Sequence, residues 1–209
     1  MNYKLSSYFA TPLLEVCLDL DTNKLTEFAF EMWNNDREGK KFSNKGGWHS
    51  DNIRKENHKE FIRLKKEINQ YLQTYHLKVF REMEFEENVI QQTDNMWINI
   101  NEKHDYNEWH IHPFSTLSGG YYIKHDGSIK NGNITLKHPT GLYMNFSHWP
   151  AGFIKKTNEI TSELIHITPK SNMLLVFPSW LEHRVETNLK DDARISVSFN
   201  SSPILEKKS

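Results

Sequence analysis

The chain has 209 residues, of which 37% are hydrophobic and 12% aromatic, and its formal net charge is −1. This composition is typical of a globular protein and excludes a disordered one. The balanced charge gives no sign of a nucleic-acid surface. Cys17 is the single cysteine, no apolar run reaches membrane-spanning length, and the N-terminus lacks the apolar centre of a secretory signal. We therefore expect a cytoplasmic protein without membrane partners.

The first third of the chain mixes strand and helix patterns. Residues 11–20 predict a strand, and residues 43–51 predict a loop around two glycines. Ser50 is expected to cap the helix that follows this loop, with Asp51 in its first turn. Two amphipathic helices are predicted by apolar residues at helical spacing, which are Leu25, Phe28, Ala29, Met32 and Trp33 in the first and Phe61, Leu64, Ile68, Tyr71 and Tyr75 in the second.

From about residue 78 the hydrophobic period changes from that of a helix to that of a strand. Turn-forming residues separate seven short runs, which lie at 96–101, 119–124, 133–138, 162–167, 172–178, 183–187 and 194–200. Many short strands at this spacing predict an antiparallel sandwich or barrel, with the helices covering one sheet. The stretch at 143–159 has no clear period and is interpreted as a long loop.

Three histidines form a candidate metal site. His110 and His112 lie two residues apart on a predicted strand, so both imidazoles should point to the same face. His183 follows an apolar strand and a proline turn, and a sandwich can bring it opposite the pair. The HxH pair alone is explained equally well as two exposed polar residues beside a proline turn, and His183 alone is better explained as a surface histidine. Together they predict a facial site with open positions, which indicates catalysis rather than structural zinc.

The last predicted strand carries a cation on its polar face. Arg194 shares this face with Ser196, while the alternate residues are apolar. A buried arginine is costly unless an anion pairs with it, and a guanidinium beside a hydroxyl can bind a carboxylate. The simpler alternative is an ordinary salt bridge to a glutamate.

Taken together, the HxH pair, SGGYYIK (118–124), FPSWLEHRV (177–185) and RISVSFN (194–200) resemble the iron(II)- and 2-oxoglutarate-dependent oxygenases, especially the prolyl-hydroxylase-like group of bacteria and phages. The resemblance is good over 96–200 and loose before it. It implies a mainly β fold with N-terminal helices (α+β) around a double-stranded β-helix core of the jelly-roll, cupin-like kind. We expect a single domain, 1–209, with a helical and mixed support region at 1–85 and a catalytic core at 86–202. For a phage protein, the location would be the host cytoplasm.

The resemblance also implies roles for individual residues. His110 and His183 correspond to iron ligands. The far carboxylate of the cosubstrate 2-oxoglutarate would be bound by Arg194 and Ser196, with Tyr122 assisting. The implied reaction uses Fe(II), 2-oxoglutarate and O2, and it hydroxylates a C–H bond of a substrate that the sequence does not identify.

One position departs from the family pattern, because His112 stands where an aspartate or glutamate is usual. Either His112 is a ligand of a three-histidine site, which the i, i+2 spacing favours, or the metal has two histidine ligands and water. Glu108 shares the predicted strand face and is a weaker candidate, and Asp105 is the other nearby carboxylate.

The substrate pocket is predicted less sharply. Alternation puts Trp97 and Asn99 on one polar strand face, and Trp180 lies shortly before His183. Each can equally be an exposed or packing residue. The prime substrate stays open among a prolyl residue, a free amino acid, a small metabolite and a nucleobase, and the oligomeric state, including a homodimer, stays open too.

Two other functions compete with the oxygenase. The HxH pair and the proline before His183 are also compatible with a cupin-type metal enzyme that does not use 2-oxoglutarate, although such an enzyme does not require Arg194 and Ser196. The second is a catalytically inactive, metal-binding β-sandwich module, which the missing carboxylate ligand supports.

Overall fold

A computed structural model describes residue 4 and residues 9–80, 89–141, 155–158 and 161–205. Within these ranges the chain forms two α-helices, α1 (Thr22–Asn35) and α2 (Lys59–Val79). The same ranges contain eleven strands, which are β1 (Leu14–Cys17), β2 (Asn44–Lys45), β3 (Trp48–His49), β4 (Val89–Asn101), β5 (Tyr106–His110), β6 (Leu117–Lys124), β7 (Ile134–Lys137), β8 (Leu164–Ile167), β9 (Met173–Pro178), β10 (His183–Val185) and β11 (Arg194–Leu205). Most of the long loop predicted at 143–159 lies outside the described residues.

The strands form two antiparallel sheets. The larger sheet has the order β1-β9-β6-β11-β4-β3, and the smaller has the order β2-β5-β10-β7-β8. Residues of both sheets line one cavity, so the sheets face each other. The chain passes repeatedly from one sheet to the other, as it does in jelly rolls. The predicted double-stranded β-helix with N-terminal helices is therefore confirmed.

The long central strands β4 and β11 separate the core from the cavity. They pair over their whole lengths, with Ile195 opposite Ile100 and Ser196 opposite Asn99. Their apolar residues pack with α1 and α2 in one large core, which includes Leu25, Phe28, Phe61, Leu64, Ile68, Met96, Ile98, Ile100, Ile195, Val197 and Phe199. Because side chains alternate along a strand, their polar residues point to the opposite face. The strand pattern of the sequence thus places polar groups between the sheets.

The prediction for the start of the second helix is wrong. This helix begins at Lys59, with His58 at its N-cap and Glu60 in its first turn. Ser50 instead joins the edge of the larger sheet, where its hydroxyl accepts a hydrogen bond from Ile98 N at 2.9 Å and its own N–H donates to Ile98 O at 3.0 Å. A serine that is also a good cap can satisfy a strand backbone, and sequence alone does not distinguish the two.

The glycine-containing segment at 43–51 bridges the two sheets. It contains β2, which pairs with β5 in the smaller sheet, and β3, which pairs with β4 in the larger one. The segment was predicted as a loop, because two strands of two residues each carry no readable alternation. Part of the predicted support region therefore belongs to the β-core. Among the described residues, there is no helix with the length and apolar character needed to cross a membrane.

Candidate active site

A cavity of about 400 Å³ opens between the two sheets. The smaller sheet contributes His110 and His183 to its wall, and the larger sheet contributes amides, hydroxyls, one guanidinium and His49. The lining residues that matter below are Phe42, His49, Asn95, Trp97, Asn99, His110, His112, Gly120, Tyr122, His183, Arg194, Ser196 and Asn200. Its size lies in the lower part of the range for small-molecule sites.

The three predicted histidines meet at this cavity. His183 on β10 is the direct register partner of His110 on β5. The Nε2 atoms of His112 and His183 are 3.3 Å apart, and one potential ligand atom from each of the three lies within 4.8 Å of the others. Within the described ranges, this is the one cluster of histidine, cysteine or carboxylate side chains close enough to share a metal ion.

The sequence predicted that His112 shares a strand face with His110. His112 does lie in the cluster, but this explanation of its position is wrong. Strand β5 ends at His110, so strand alternation does not orient His112. The backbone N–H of His112 donates instead to Ser179 O at 2.9 Å, and its ring stacks with the rings of Trp97 and His183. His112 is therefore held by contacts with other segments of the chain.

Backbone carbonyls fix the ring orientation of the two strand histidines. Nδ1 of His110 lies 2.7 Å from Glu108 O, and Nδ1 of His183 lies 2.8 Å from Leu181 O. A carbonyl accepts only, so each Nδ1 carries the proton and each Nε2 keeps its lone pair. This tautomer, with the far nitrogen bonded to an oxygen, is the usual state of a metal-binding histidine.

Burial keeps the three rings neutral. Removal from water lowers the pKa of His110, lowers the pKa of His112 to about 4, and lowers the pKa of His183 well below its ordinary value. The neighbouring histidines act in the same direction on His112 and His183. Neutral imidazoles at neutral pH are ready to bind a metal ion without first losing a proton.

The carboxylates near the cluster are engaged elsewhere. Glu108 is exposed, and its side chain forms an ion pair with Lys45 at 3.2 Å. The Asp105 carboxylate accepts a hydrogen bond from Glu102 N at 2.8 Å. Neither belongs to the histidine cluster. Among the described residues, the geometry therefore favours the three-histidine alternative over a carboxylate ligand.

Arg194 is buried with half of its guanidinium unpaired. Its side chain is 1% exposed, and Nη1 donates to Asn131 O at 2.8 Å and to Glu186 O at 3.0 Å. Nη2 is buried without a hydrogen-bond partner among the described residues. Burial lowers the pKa of Arg194 to about 10, so it stays cationic at neutral pH. Arg194 lines the cavity, and a buried cation with an unpaired donor is a fit for an anion such as a carboxylate.

Among the described residues, Arg194 forms no salt bridge with a glutamate. Glu186 approaches Arg194 through its backbone carbonyl, while its carboxylate lies 3.2 Å from His166 Nδ1. The chain comes close here because of Gly132, whose φ is +90° and where a Cβ would lie 2.1 Å from Arg194 Nη1. Only glycine tolerates this combination of backbone angle and contact.

Tyr122 and Ser196 lie beside Arg194 on the same wall. They are register partners on β6 and β11, and both line the cavity. Burial raises the pKa of Tyr122 to about 12, so its phenol keeps its proton and can donate a hydrogen bond. The predicted carboxylate-binding group is thus brought together in space.

Of the three predicted substrate residues, Asn99 and Trp97 line the cavity, and Trp180 is not among the described residues that line it. Asn99 lines the cavity, where its Nδ2 donates to Ser198 Oγ at 3.0 Å and its Oδ1 is buried without a partner among the described residues. Trp97 also lines the cavity, and its ring stacks with the rings of His49 and His112. Trp180 is 53% exposed and is not one of the described residues that line the cavity.

Sequence reasoning missed Phe42, His49 and Asn200 as cavity residues. Phe42 and His49 come from the segment around β2 and β3, about fifty residues before Trp97. Asn200 follows the alternation of Arg194 and Ser196, so it could have been found by extending that polar face by two steps. The first two carried no local signal.

Comparison with known proteins identifies the class of this site. Residues 95–200 match the family described as "Putative 2OG-Fe(II) oxygenase", and this match spans just over half of the chain. No curated protein matches the sequence.

Solved structures share the fold at low sequence identity. A prolyl-4-hydroxylase from Pseudomonas putida is 12% identical with a TM-score of 0.57, over 91% of this chain and 92% of that one. A viral collagen prolyl hydroxylase from Paramecium bursaria Chlorella virus-1, solved with 2-oxoglutarate, is 9% identical with a TM-score of 0.58, over 91% and 96%. HygX from Streptomyces hygroscopicus, solved with nickel and 2-oxoglutarate, is 12% identical with a TM-score of 0.60, over 92% and 83%.

Proposed function

We propose, from the premise that the chain belongs to the 2OG-Fe(II) oxygenase family, that it is a hydroxylase whose reaction takes place in the cavity between the two sheets. Membership of the family makes it an enzyme that uses iron(II), 2-oxoglutarate and oxygen. The assignment of individual residues and of the substrate is our proposal.

The observation that carries the proposal is the pairing of two features in one cavity. Three neutral histidines converge at one wall, and a buried cation with a free donor lies at the other. A metal site alone would suit many enzymes, and a buried arginine alone would suit many anions. Their combination suits a molecule with a metal-binding end and a carboxylate at the other end, which describes 2-oxoglutarate.

In this proposal His110, His112 and His183 bind iron(II) through Nε2. Bound iron(II) supplies the oxidising chemistry that couples decarboxylation of 2-oxoglutarate to hydroxylation of a C–H bond. The carbonyl oxygens of Glu108 and Leu181 hold two of the rings in the tautomer that leaves Nε2 free. Three protein ligands leave positions open for the cosubstrate and oxygen.

Arg194 holds and orients the cosubstrate. Its free Nη2 donates to the far carboxylate, and the neutral phenol of Tyr122 and the hydroxyl of Ser196 add donors on the same wall. A hydrogen bond to a charged group contributes about 1.5–3 kcal/mol, so this set accounts for strong selection of a dianionic cosubstrate. A cupin-type enzyme that does not use 2-oxoglutarate would leave the charge of Arg194 without a partner.

For the prime substrate we propose an amino-acid residue, by analogy with the prolyl hydroxylases whose fold the chain shares. Asn99 and Asn95 line the cavity, and the buried Oδ1 atom of each has no hydrogen-bond partner among the described residues, so we propose them as acceptors for its N–H or O–H groups. The exposed side chain of Phe42 provides an apolar rim at the cavity. The single cysteine and the need for ferrous iron support a cytoplasmic setting.

The test is turnover with a pool of peptides prepared from a cell extract. Protein loaded with iron(II) is supplied with 2-oxoglutarate and oxygen, and succinate and peptide masses are measured. We expect succinate to form together with peptides that have gained one oxygen atom, and we expect neither product from His183→Ala. Succinate formation without any oxygen gain would contradict the hydroxylase assignment, and equal turnover by His183→Ala would contradict the site.

A further inference from the structure

We propose that Trp97 is a positioning residue for His112, and that His49 supports Trp97 by stacking with it. The inference rests on the proposed role of His112 as a metal ligand. It replaces the sequence-based interpretation of Trp97 as a substrate contact, and it gives the segment between β2 and β4 a part in building the metal site.

His112 needs support that the other two histidines do not need. His110 and His183 are paired across β5 and β10, so the strand backbone fixes both Cα–Cβ directions. His112 lies beyond the end of β5, before Pro113. Outside a sheet, the ring plane of a histidine is set by whatever packs against it.

Ring stacking supplies this packing. The rings of Trp97 and His112 have centroids 5.7 Å apart and planes 22° apart, and the rings of His112 and His183 have centroids 5.1 Å apart and planes 9° apart. Trp97 also stacks with His49, with ring centroids 5.3 Å apart and planes 12° apart. These distances lie in the usual range for interacting aromatic rings.

Two rings already pack on the indole. His49 and His112 both stack on Trp97, with ring centroids 5.3 Å and 5.7 Å away. Trp97 is half-buried and also lines the cavity. We therefore assign its ring to the support of His112 rather than to the stacking of a substrate.

The base of the stack is anchored in the larger sheet. Trp97 belongs to β4, and His49 belongs to β3, the strand that pairs with it. Nδ1 of His49 donates to Ser50 O at 2.7 Å, which fixes the orientation of the supporting ring. Both rings thus project from strands that are fixed by the core beneath them.

The neighbouring polar groups are held on the larger sheet. Asn200 and Ser118 are register partners on β11 and β6, and Asn200 Oδ1 accepts the Ser118 hydroxyl at 2.8 Å. Asn200 lines the cavity, as His112 does. Stacking by Trp97 sets the plane of the His112 ring, whose Nε2 lies 3.3 Å from Nε2 of His183.

The chain offers a matched control for Trp97. Trp109 is also half-buried and also stacks with side chains, but its partners are Arg184 at 4.9 Å and Lys137 at 5.7 Å from the ring centroid. It is not among the described residues that line the cavity. Trp97→Leu and Trp109→Leu remove the same group, and only the first should affect the metal site.

The experiment measures anaerobic iron(II) affinity and the visible spectrum of the cobalt(II)-loaded protein for both variants, for His49→Leu and for Trp97→Phe. Outer groups that orient a metal ligand contribute about 10–100-fold to metal affinity, so we expect a loss in this range for Trp97→Leu with an altered cobalt spectrum. Trp97→Phe keeps a ring in the stack and should recover most of the affinity. Trp109→Leu should match the original protein.

His112→Ala separates this inference from the function on which it rests. If His112→Ala loses metal affinity but Trp97→Leu and His49→Leu keep both affinity and spectrum, the positioning role is wrong and the ligand role stands. If His112→Ala keeps full affinity, the ligand role itself is wrong. Urea unfolding of the metal-free variants checks folding, and if Trp97→Leu fails to fold, His49→Leu and Trp97→Phe carry the same test.

Discussion

The histidine cluster and Arg194 give the two ends of the cavity opposite electrostatic properties. We call them the metal end and the carboxylate end. At the metal end, burial removes charge, because the pKa of each histidine is lowered and the rings are neutral. At the carboxylate end, Arg194 keeps its charge despite complete burial, and Nη2 stays without a partner among the described residues. One end is built to receive a cation and the other to receive an anion.

The two ends differ in the energetic cost that each has before its ligand binds, the metal ion at one end and the cosubstrate at the other. A neutral histidine cluster costs little without a metal ion, because Nδ1 of His110 and Nδ1 of His183 are already hydrogen-bonded to carbonyl oxygens. A buried cation with a free donor is costly, since its desolvation is only partly compensated by two carbonyls. We therefore expect the histidines at the metal end to determine whether a metal ion binds, and Arg194 at the carboxylate end to determine which cosubstrate binds.

The largest effect is expected from His183→Ala. This residue is the most buried of the three and contacts both of the others, so its loss removes one ligand and leaves the remaining two poorly oriented. We expect iron(II) to be lost on desalting, with affinity reduced by more than about 100-fold, beyond the effect of an outer-shell change. Metal analysis after desalting measures this, and full iron occupancy would mean that the site is misplaced.

Arg194→Ala should weaken the binding of 2-oxoglutarate without weakening the binding of iron(II). Removal of the guanidinium takes away a charge-assisted hydrogen bond to the cosubstrate, which corresponds to about 10–100-fold weaker 2-oxoglutarate binding. Iron(II) affinity should stay near that of the original protein. Isothermal titration of both ligands into the two proteins checks this, and unchanged 2-oxoglutarate affinity would exclude Arg194 from the carboxylate site.

Two neighbouring glycines on β6, Gly119 and Gly120, test which face of this strand borders the cosubstrate. A Cβ at Gly120 would have its nearest heavy atom at 4.0 Å, in Tyr122, whereas a Cβ at Gly119 would lie 2.1 Å from Leu175 O and 2.4 Å from the Phe199 ring. We expect Gly120→Val to keep the fold and weaken 2-oxoglutarate binding, because the new side chain enters the cavity. Gly119→Val should lower the free energy of unfolding by about 1–3 kcal/mol or more.

Urea unfolding and 2-oxoglutarate titration of both glycine variants give the result. Loss of stability in Gly120→Val with unchanged 2-oxoglutarate binding would mean that this wall faces the core rather than the cosubstrate.

The smallest effect is expected from Glu108→Gln. The Glu108 carboxylate is exposed and paired with Lys45, and such surface pairs contribute about 0–1 kcal/mol. Iron(II) affinity should therefore be unchanged. A clear loss of iron affinity in this variant would restore the carboxylate as a candidate third ligand and weaken the case for His112.

The alternation in the last strand already placed Arg194 and Ser196 on a polar face, and it placed Ile195 and Val197 in the core. His110 and His183 were also found from the sequence, since both lie on regular strands that a sandwich brings together. The alternation along a strand depends only on neighbouring residues, so the sequence alone predicts these features.

Other features depend on contacts between distant segments. Ser50 could cap a helix or satisfy a strand, and only the packing of β3 on β4 decides between them. The environment of Trp97 depends on His49 and His112, which come from two other parts of the chain. The orientation of His112 had no local signal for the same reason, since it lies past the end of its strand.

The central claim is that one small molecule connects the two ends of the cavity, with its keto acid on the metal and its far carboxylate on Arg194. An anaerobic titration of the iron(II)-loaded protein with 2-oxoglutarate, followed by visible absorbance, tests this most directly. Keto acid chelation to iron(II) should give a weak charge-transfer band that saturates, and Arg194→Ala should need a higher 2-oxoglutarate concentration to reach the same band. Iron binding without any such band would contradict the account.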